Sequence, residues 1–505
     1  MLLIHPPLTK PCEPPASLAH LAAAIRGAGR SCRVCDLNLE GLLHLLSTTP
    51  PAGDTWSRRA CRHLADNLQA LRGDDLYRRP ARYQRAVTDC NRVIETAGAP
   101  HGLLLSLANY QDRRLSPTAS GDLLLAAQHY RQNMFYPYFS QRLTGLIEEE
   151  SPSHIGISLN FLGQALCTFA IIGFLRDHAP GIPIILGGGL VTTWLRNPSW
   201  RNPFSGLVDH LVAGPGEGPL LDLLGSDRPA ARAVPDYAGL DRLPYLAPGL
   251  ILPYAASSGC YWRKCSFCPE TSEENPYRPL SPQTVRQDIA RLTATCRPRL
   301  LHILDNAISP ALLRELADHP PGIPWYGFAR IDDRLAEPGF CRQLRQAGCV
   351  MLKLGIESGS QRVLDAMNKG IDVGQASKAL RALAGAGIAT YVYLLFGTPG
   401  ESPEAARETL AFTAGHHRCI TFLNLAIFNL PVGSPEAEGL EITGRHADDL
   451  SLYHDFRHPL GWNRREIRLF LDREFKRQPA IRKIVQRDPP FFTSNHAAFF
   501  TGPID

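Results

Sequence analysis

Three cysteines fall within nine residues of this chain: Cys260, Cys265 and Cys268, in the run Ser258-Gly-Cys260-Tyr-Trp-Arg-Lys-Cys265-Ser-Phe-Cys268-Pro269. Thiolates spaced so closely can converge on one metal centre from a single loop. Three of them on a cubane 4Fe–4S cluster leave one iron without a protein ligand, open to a small molecule. Two plainer readings fit the same residues: a zinc site that borrows a remote fourth ligand such as His302, or three unligated thiols. The other ten of the 13 cysteines are scattered, and the total is odd. A secreted disulfide framework is short and even-numbered, so the chain reads as reduced and cytosolic, where a tight cluster points to metal before disulfide. Cys32-Arg-Val-Cys35 has the spacing of a redox pair but lies in a predicted strand, and reads as two buried structural cysteines.

The elements around the cluster set its place. It follows the apolar run Ile251–Ala256, the first of six such runs separated by helical segments. The others are Leu300–Leu304, Trp325–Ala329, Met351–Ile356, Thr390–Phe396 and Thr421–Phe428. Six βα-type units predict a (β/α)6 partial barrel over 249–437, with functional groups at the strand C-termini and the loops that follow. Upstream, strands are predicted at Leu2–His5, Ser31–Leu37, His154–Ser158, Ile182–Leu186 and His210–Ala213. Helices alternate with them at Ser17–Ala28, where Ser17 is placed to cap, and at Phe161–His178. This alternation implies an α/β, Rossmann-like, doubly wound domain over 1–225, binding ligands at the carboxyl ends of its strands. Residues 45–150 interrupt it with helical stretches such as Ala60–Leu71 and Leu123–Glu150, and read as a helical insertion. Residues 226–248 are Pro-rich and read as a linker, and 438–505 as a helical C-terminal tail.

Composition narrows the classes. At 505 residues, 44% hydrophobic and 20% charged, the chain has the make-up of an ordinary multidomain globular protein. A net charge of +5 gives no argument for nucleic acid as a partner. No apolar run approaches the ~18–20 residues needed to cross a bilayer. The start, Met1 to Pro7, lacks the basic segment and long apolar stretch of a signal peptide, so neither membrane nor export is expected. From Arg464 to Asp488, nine Lys or Arg stand against four Asp or Glu, while Ile467, Phe470, Leu471 and Phe475 form one helical stripe. That helix packs and shows its charges to water, or it offers them to an anionic substrate or acidic partner.

With Phe267 just before its last cysteine and Pro269 after it, the cluster resembles that of the radical S-adenosylmethionine (SAM) superfamily, over about 240–435. The gap between its first two cysteines is one residue longer than is common there. Leu354-Gly-Ile-Glu-Ser-Gly-Ser-Gln-Arg-Val-Leu-Asp-Ala-Met-Asn-Lys-Gly370 looks like the family's fourth-strand segment, where a strand-end glutamate meets the cosubstrate. The resemblance implies that Gly355, Glu357 and Ser358 line the SAM site beside Phe267. By residue chemistry alone, Glu357 could instead pair with Arg362 or Lys369. Tyr393 to Glu401 resembles the fifth-strand end, where the backbone passes close to adenine and Gly397 permits that approach. Asp305 is the corresponding candidate for the methionine amino group, or else a cap for a helix from Pro310. Arg330 is the candidate for the carboxylate, or else pairs with Asp332 or Asp333.

The first domain resembles the cobalamin-binding domain fused to many radical SAM enzymes. The matching pieces are Ile4-His-Pro-Pro7, Pro14–Ile25, Gly156-Ile-Ser158, Leu186-Gly-Gly188 and Val208–Glu217. This implies that Ser158, Gly187 and Gly188 run along the cofactor's nucleotide tail. The Asp-x-His-x-x-Gly loop that supplies histidine to cobalt elsewhere is missing. Together the resemblances imply an enzyme with a 4Fe–4S cluster, SAM and cobalamin, reduced by a donor such as flavodoxin or ferredoxin. It would cleave SAM to a 5′-deoxyadenosyl radical and methylate an unactivated carbon of a small-molecule or peptide substrate. Hydrogen abstraction or rearrangement without methyl transfer stays open beside this, as does a non-enzymatic iron–sulfur or zinc module.

Overall fold

The computed structural model describes residues 1–49, 53–197, 199–226, 232–443, 448–490 and 496–502. The chain divides into two compact units. The first holds Met1–Ile251, Ala447–Leu452 and Pro490–Ser494; the second holds Leu252–His446, Tyr453–Pro489 and Asn495–Asp505.

The first unit is built on a five-stranded parallel sheet of β1 (Leu2–His5), β2 (Arg33–Asp36), β5 (Ile155–Ser158), β6 (Ile184–Gly187) and β7 (His210–Val212). Its order, β2-β1-β5-β6-β7, puts the switch point between β1 and β5, where doubly wound sheets open a crevice beyond their carboxyl ends. Every residue of β1 and β5 is buried, which is why these strands read as unbroken apolar runs rather than alternating ones. The helix Ala16–Gly27 begins after Pro15 with no side-chain cap. Ser17, expected to cap it, instead lies with its hydroxyl 3.1 Å from that of Ser158.

The insertion is mostly helical, but its pieces differ from the sequence expectation. Ala60–Leu71 is two helices, Thr55–Arg62 and Leu64–Leu71, divided at His63. Leu123–Glu150 is likewise broken, into Ser120–Gln128, a 3-10 turn at Tyr130–Gln132, and Tyr136–Glu150. Asn133 makes the second break by accepting a hydrogen bond from the Phe135 amide on its own side chain. The helix Pro80–Gly98 falls within the expected helical insertion, whereas the hairpin of β3 (Leu103–Ser106) and β4 (Asn109–Asp112) departs from it. In the helix Leu162–His178 every residue from Gln164 to Leu175 is buried, because the insertion covers the side that the sheet does not.

Residues 232–249 do not run free as a linker; 227–231 lie outside the described residues. The Asp236 amide donates to the Ala19 carbonyl, and the Asp236 carboxylate pairs with Arg26 at 2.6 Å. Tyr237 and Leu240 are buried, and Tyr245 donates to Asp36, the cap of the helix Leu37–Thr48.

The second unit carries a six-stranded sheet of β8 (Ile251–Tyr254), β11 (Leu300–Ile308), β12 (Trp325–Ala329), β13 (Cys349–Glu357), β14 (Ala389–Phe396) and β15 (Phe422–Ile427). The order is β15-β14-β13-β12-β11-β8, with parallel ladders from β11 to β15 and helices between, the expected partial barrel. A small antiparallel pair, β9 (Ser257–Ser258) with β10 (Arg278–Pro279), pinches the cysteine loop at its base. Most of the expected tail belongs to this unit. Its helix Arg464–Phe470 continues into a π turn, Leu471–Phe475, and buries Ile467, Phe470 and Phe475, the two phenylalanines against Phe396. Another pair, β16 (Leu430–Pro431) with β17 (Tyr453–His454), joins the tail to the end of β15. Further on, His496 stacks on Tyr391 at 4.8 Å, and Arg299 donates to the Thr501 carbonyl.

Gly173 lets the helix Leu162–His178 meet the insertion, since a Cβ there would overlap the backbone of Ala127. Gly to Ala inside a helix ordinarily stabilises by about 1 kcal/mol. At Gly173 the sign should reverse. Gly173→Ala is expected to destabilise the first unit by roughly 1–3 kcal/mol through overpacking, read as a lower urea midpoint with an unchanged slope.

Candidate active site

The loop from Gly259 to Cys268 contains no helix or strand, and its three cysteines are free and half-buried. Its conformation is imposed from outside. Asp305 accepts from the Ala256 amide at 2.7 Å, the Ser257 amide at 3.3 Å and the Ser257 hydroxyl at 2.6 Å, bracing the point where the loop leaves the sheet. Asn306 donates to the Gly259 carbonyl. Gly259 is required, with φ +71 and the Pro276 carbonyl where a Cβ would be. Between the second and third cysteines, the Ser266 amide donates to the Met367 carbonyl at 3.1 Å and its hydroxyl bonds Glu436.

The three thiols lie within electrostatic reach of one another. Burial pushes Cys265 up while Lys369 and Arg330 pull it down, and burial pushes Cys268 up to about 11. Loss of the thiol protons is therefore favoured by a positive partner, whether a metal cluster or these cations. Among the described residues no three His, Cys, Asp or Glu side chains are already drawn together as the shell of one metal ion. His302, one remote ligand a zinc site could borrow, is stacked on Tyr326 at 4.3 Å and lies 3.5 Å from the Lys353 ammonium.

Glu357 ends β13 where the register with β14 shifts, in the left-handed region at φ +68. A charged residue held there carries backbone strain of the sort found at functional sites. Its carboxylate pairs with Lys369 at 2.9 Å, both side chains being only 12% and 11% exposed. Of the two partners allowed by the sequence the fold selects Lys369, while Arg362 reaches Ser402. Gly355 leaves the space this pair fills, since a Cβ would overlap the Glu357 carboxylate. The Lys369 ammonium also lies 5.4 Å from the Phe267 ring, just before the third cysteine.

Other expected site residues are engaged differently. Arg330 pairs with neither Asp332 nor Asp333 within the described ion pairs; it stacks on Trp262 at 3.7 Å and donates to the Lys369 and Gly370 carbonyls. Asp305 lies inside β11 with both oxygens used by the cysteine loop, and Ser309 rather than Asp305 caps the helix Pro310–Asp318. Ser358 is buried against Thr409, tying the end of β13 to the helix Pro403–Gly415. Gly397, at φ +81, has Ile467 of the tail helix where its Cβ would stand, so this chain's own packing already requires glycine there. In the first unit Ser158 bonds Ser17 and Asn160 at the switch point. A Cβ on Gly188 would strike the Leu159 carbonyl, and one on Gly187 would only touch Val212.

Residues 254–413 match the radical SAM superfamily. The chain carries a radical SAM domain. An anaerobic magnesium-protoporphyrin IX monomethyl ester cyclase of Rubrivivax gelatinosus is 28% identical over 298 residues, 54% of this chain and 51% of the cyclase. The cyclase of Cereibacter sphaeroides is 26% identical over 160 residues, 29% of this chain and 25% of that enzyme. The chain thus spans about half the length of the first of these curated relatives and a quarter of the second. Among solved structures, the radical SAM methyltransferase TsrM from Kitasatospora setae, with tryptophan and aza-SAM bound, superposes with a TM-score of 0.54 at 17% identity. That match covers 88% of this chain and 79% of the other. TsrM with cobalamin and a [4Fe–4S] cluster gives a TM-score of 0.51 at 17% identity, over 88% and 81%.

The donor set of this radical SAM domain fits a 4Fe–4S cluster by its chemistry: three soft thiols on one loop, with Lys369 and Arg330 to offset the negative charge at Cys265. Sequence reasoning missed Trp262 and Glu436 beside it: Trp262 stands inside the cysteine motif, and Glu436 becomes a neighbour of Ser266 only through the fold. Glu401, within the fifth-strand motif, is a third. Glu401 is fully buried, accepting from the Gly397 amide at 2.5 Å and from Trp462 at 3.1 Å, and burial raises its carboxyl from 4.5 to about 7. The fold thus prefers the neutral acid. The associated stability is complete below about pH 4.5 and is lost as pH rises through about 7, up to roughly 3 kcal/mol. Glu401→Gln should remove this slope. Urea unfolding at about pH 5 and about pH 8 is expected to show the wild type losing stability relative to the variant at the higher pH.

Proposed function

We propose that this chain is an enzyme holding a 4Fe–4S cluster on Cys260, Cys265 and Cys268, using SAM and cobalamin to methylate an unactivated carbon. The reading is carried by one observation: three thiols on a loop leaving the carboxyl end of β8, beside the buried Glu357–Lys369 pair, inside the radical SAM match. When bound, cluster and SAM supply a 5′-deoxyadenosyl radical, and cobalamin supplies a methyl group. The protein's own part is positional. Asp305, Ser266 and Trp262 hold the cysteine loop in place. Lys369 fixes Glu357 at the strand end, where a carboxylate can accept from the ribose hydroxyls or amino group of SAM.

Cobalamin binding is supported by the sheet order of the first unit and by the Ser17, Ser158 and Asn160 groups at its switch point. The TsrM likeness supports the same fold. Thirteen free cysteines suit a reducing, cytoplasmic setting, with a low-potential donor such as flavodoxin or ferredoxin. The likeness to the Rubrivivax cyclase favours a second reading, in which the radical closes a ring and no methyl is transferred.

Anaerobic reconstitution separates these. Wild-type protein under reduction should release 5′-deoxyadenosine from SAM, and Cys265→Ala should release only background while keeping its circular dichroism spectrum. Undiminished release from that variant would refute the cluster assignment. Protein incubated with hydroxocobalamin and desalted should stay coloured by corrinoid; a colourless product moves the assignment to the ring-closing reading.

A further inference from the structure

We propose that Trp262 is a positioning residue that couples the cysteine loop to the cosubstrate side of the site, so that cluster and SAM are held by one block. This rests on the radical SAM reading and goes beyond it, since Trp262 belongs to the extra length between the first two cysteines.

Residues 261–264 must absorb that length without moving Cys260 away from Cys265. Arg263 does so in the left-handed region, at φ +50, turning the chain back on itself. The turn leaves Trp262 directed toward the barrel rim. Its ring carries the Arg330 guanidinium at 3.7 Å and the Lys264 ammonium at 4.9 Å. Its indole N–H donates to the Asn368 carbonyl at 3.2 Å. Gly370 is the floor of the contact, because a Cβ there would overlap the Trp262 ring.

The stretch that receives Trp262 is unusual in itself. Asn368 and Gly370 both have positive φ, +51 and +63, so Lys369 sits between two left-handed residues. Such a turn holds only when its surroundings over-determine it. Arg330 supplies that support by donating to the Lys369 and Gly370 carbonyls, the second at 2.7 Å. Trp262 pins Arg330 from above. One continuous path results: Trp262 fixes Arg330 and Asn368, these fix the backbone of Lys369, and Lys369 fixes Glu357 at 2.9 Å. The first end of the path lies between two cysteines and the last is the carboxylate proposed to meet SAM. Arg330, a candidate from the sequence for the SAM carboxylate or for a pair with Asp332 or Asp333, is by this geometry a structural cation of the block.

The test uses the full chain, reconstituted anaerobically, as wild type, Trp262→Leu and Trp262→Phe. Iron and sulfide per chain report the cluster. The change in the reduced cluster's paramagnetic resonance spectrum on titration with SAM reports the open iron. Trp262→Leu removes the cation-binding face and the N–H together. It is expected to keep its iron yet need roughly tenfold more SAM for the spectral change, equivalent to about 1.4 kcal/mol. Trp262→Phe keeps a face for Arg330 and loses only the N–H, so it should fall between wild type and Trp262→Leu. If Trp262→Leu loses its iron, Trp262→Phe decides: iron retained with a weakened SAM response supports the coupling. A Trp262→Leu titration that overlays the wild type overturns it, and so does a Trp262→Phe protein as impaired as Trp262→Leu. A wild-type protein that forms no SAM-responsive cluster instead defeats the proposed function, which distinguishes the two failures.

Discussion

A ten-residue segment with no helix or strand, from Gly259 to Cys268, has to present three sulfurs in a fixed pattern. Fixing each backbone residue costs about 1–2 kcal/mol of conformational entropy, so the segment cannot hold that pattern unaided. It borrows rigidity from neighbouring elements. β11 lends Asp305, the residue after β12 is Arg330, and the turn after the helix Gln361–Ala366 lends the Met367 and Asn368 carbonyls. Parallel strands bring these groups together because their carboxyl ends all open on one side of the sheet. The sheet order therefore matters chemically: β8, which launches the loop, lies next to β11, which braces it.

The same physics explains what could be read without coordinates. Parallel strands are buried on both faces, so β1, β5, β12 and β14 announce themselves as short apolar runs. The apolar run of β11 stops at Leu304, before the polar pair Asp305-Asn306. The strand continues to Ile308 since the buried carboxylate finds its partners on a neighbouring element. The helix Pro80–Gly98 did carry local marks, Pro at its start and Gly at its end, yet its polar faces hid the apolar stripe. The break at Asn133 depends on one side-chain hydrogen bond, which spacing alone does not reveal.

For the site, residue type and order single out the cysteines and Glu357 as candidates, because few arrangements put three thiols on one loop at a strand end. They did not reveal which residues serve the loop and which would face a ligand. Ser358 and Gly397 occupy the expected strand ends and Asp305 lies within β11, but each is engaged by this chain itself: Thr409, Ile467 and Ser257 respectively. The choice between Arg362 and Lys369 for Glu357 was equally invisible, since both lie in the same motif and only the turn at 368–370 decides it.

The stacking of His496 on Tyr391, with Phe422 edge-on to the same ring, has a consequence for biosynthesis. Tyr391 and His496 are 105 positions apart, so at ribosomal speeds the tyrosine emerges roughly 5–20 s before its partner exists. During that interval the aromatic face at β14 and β15 has no cover from this segment. The second unit thus completes its fold only after a delay set by translation.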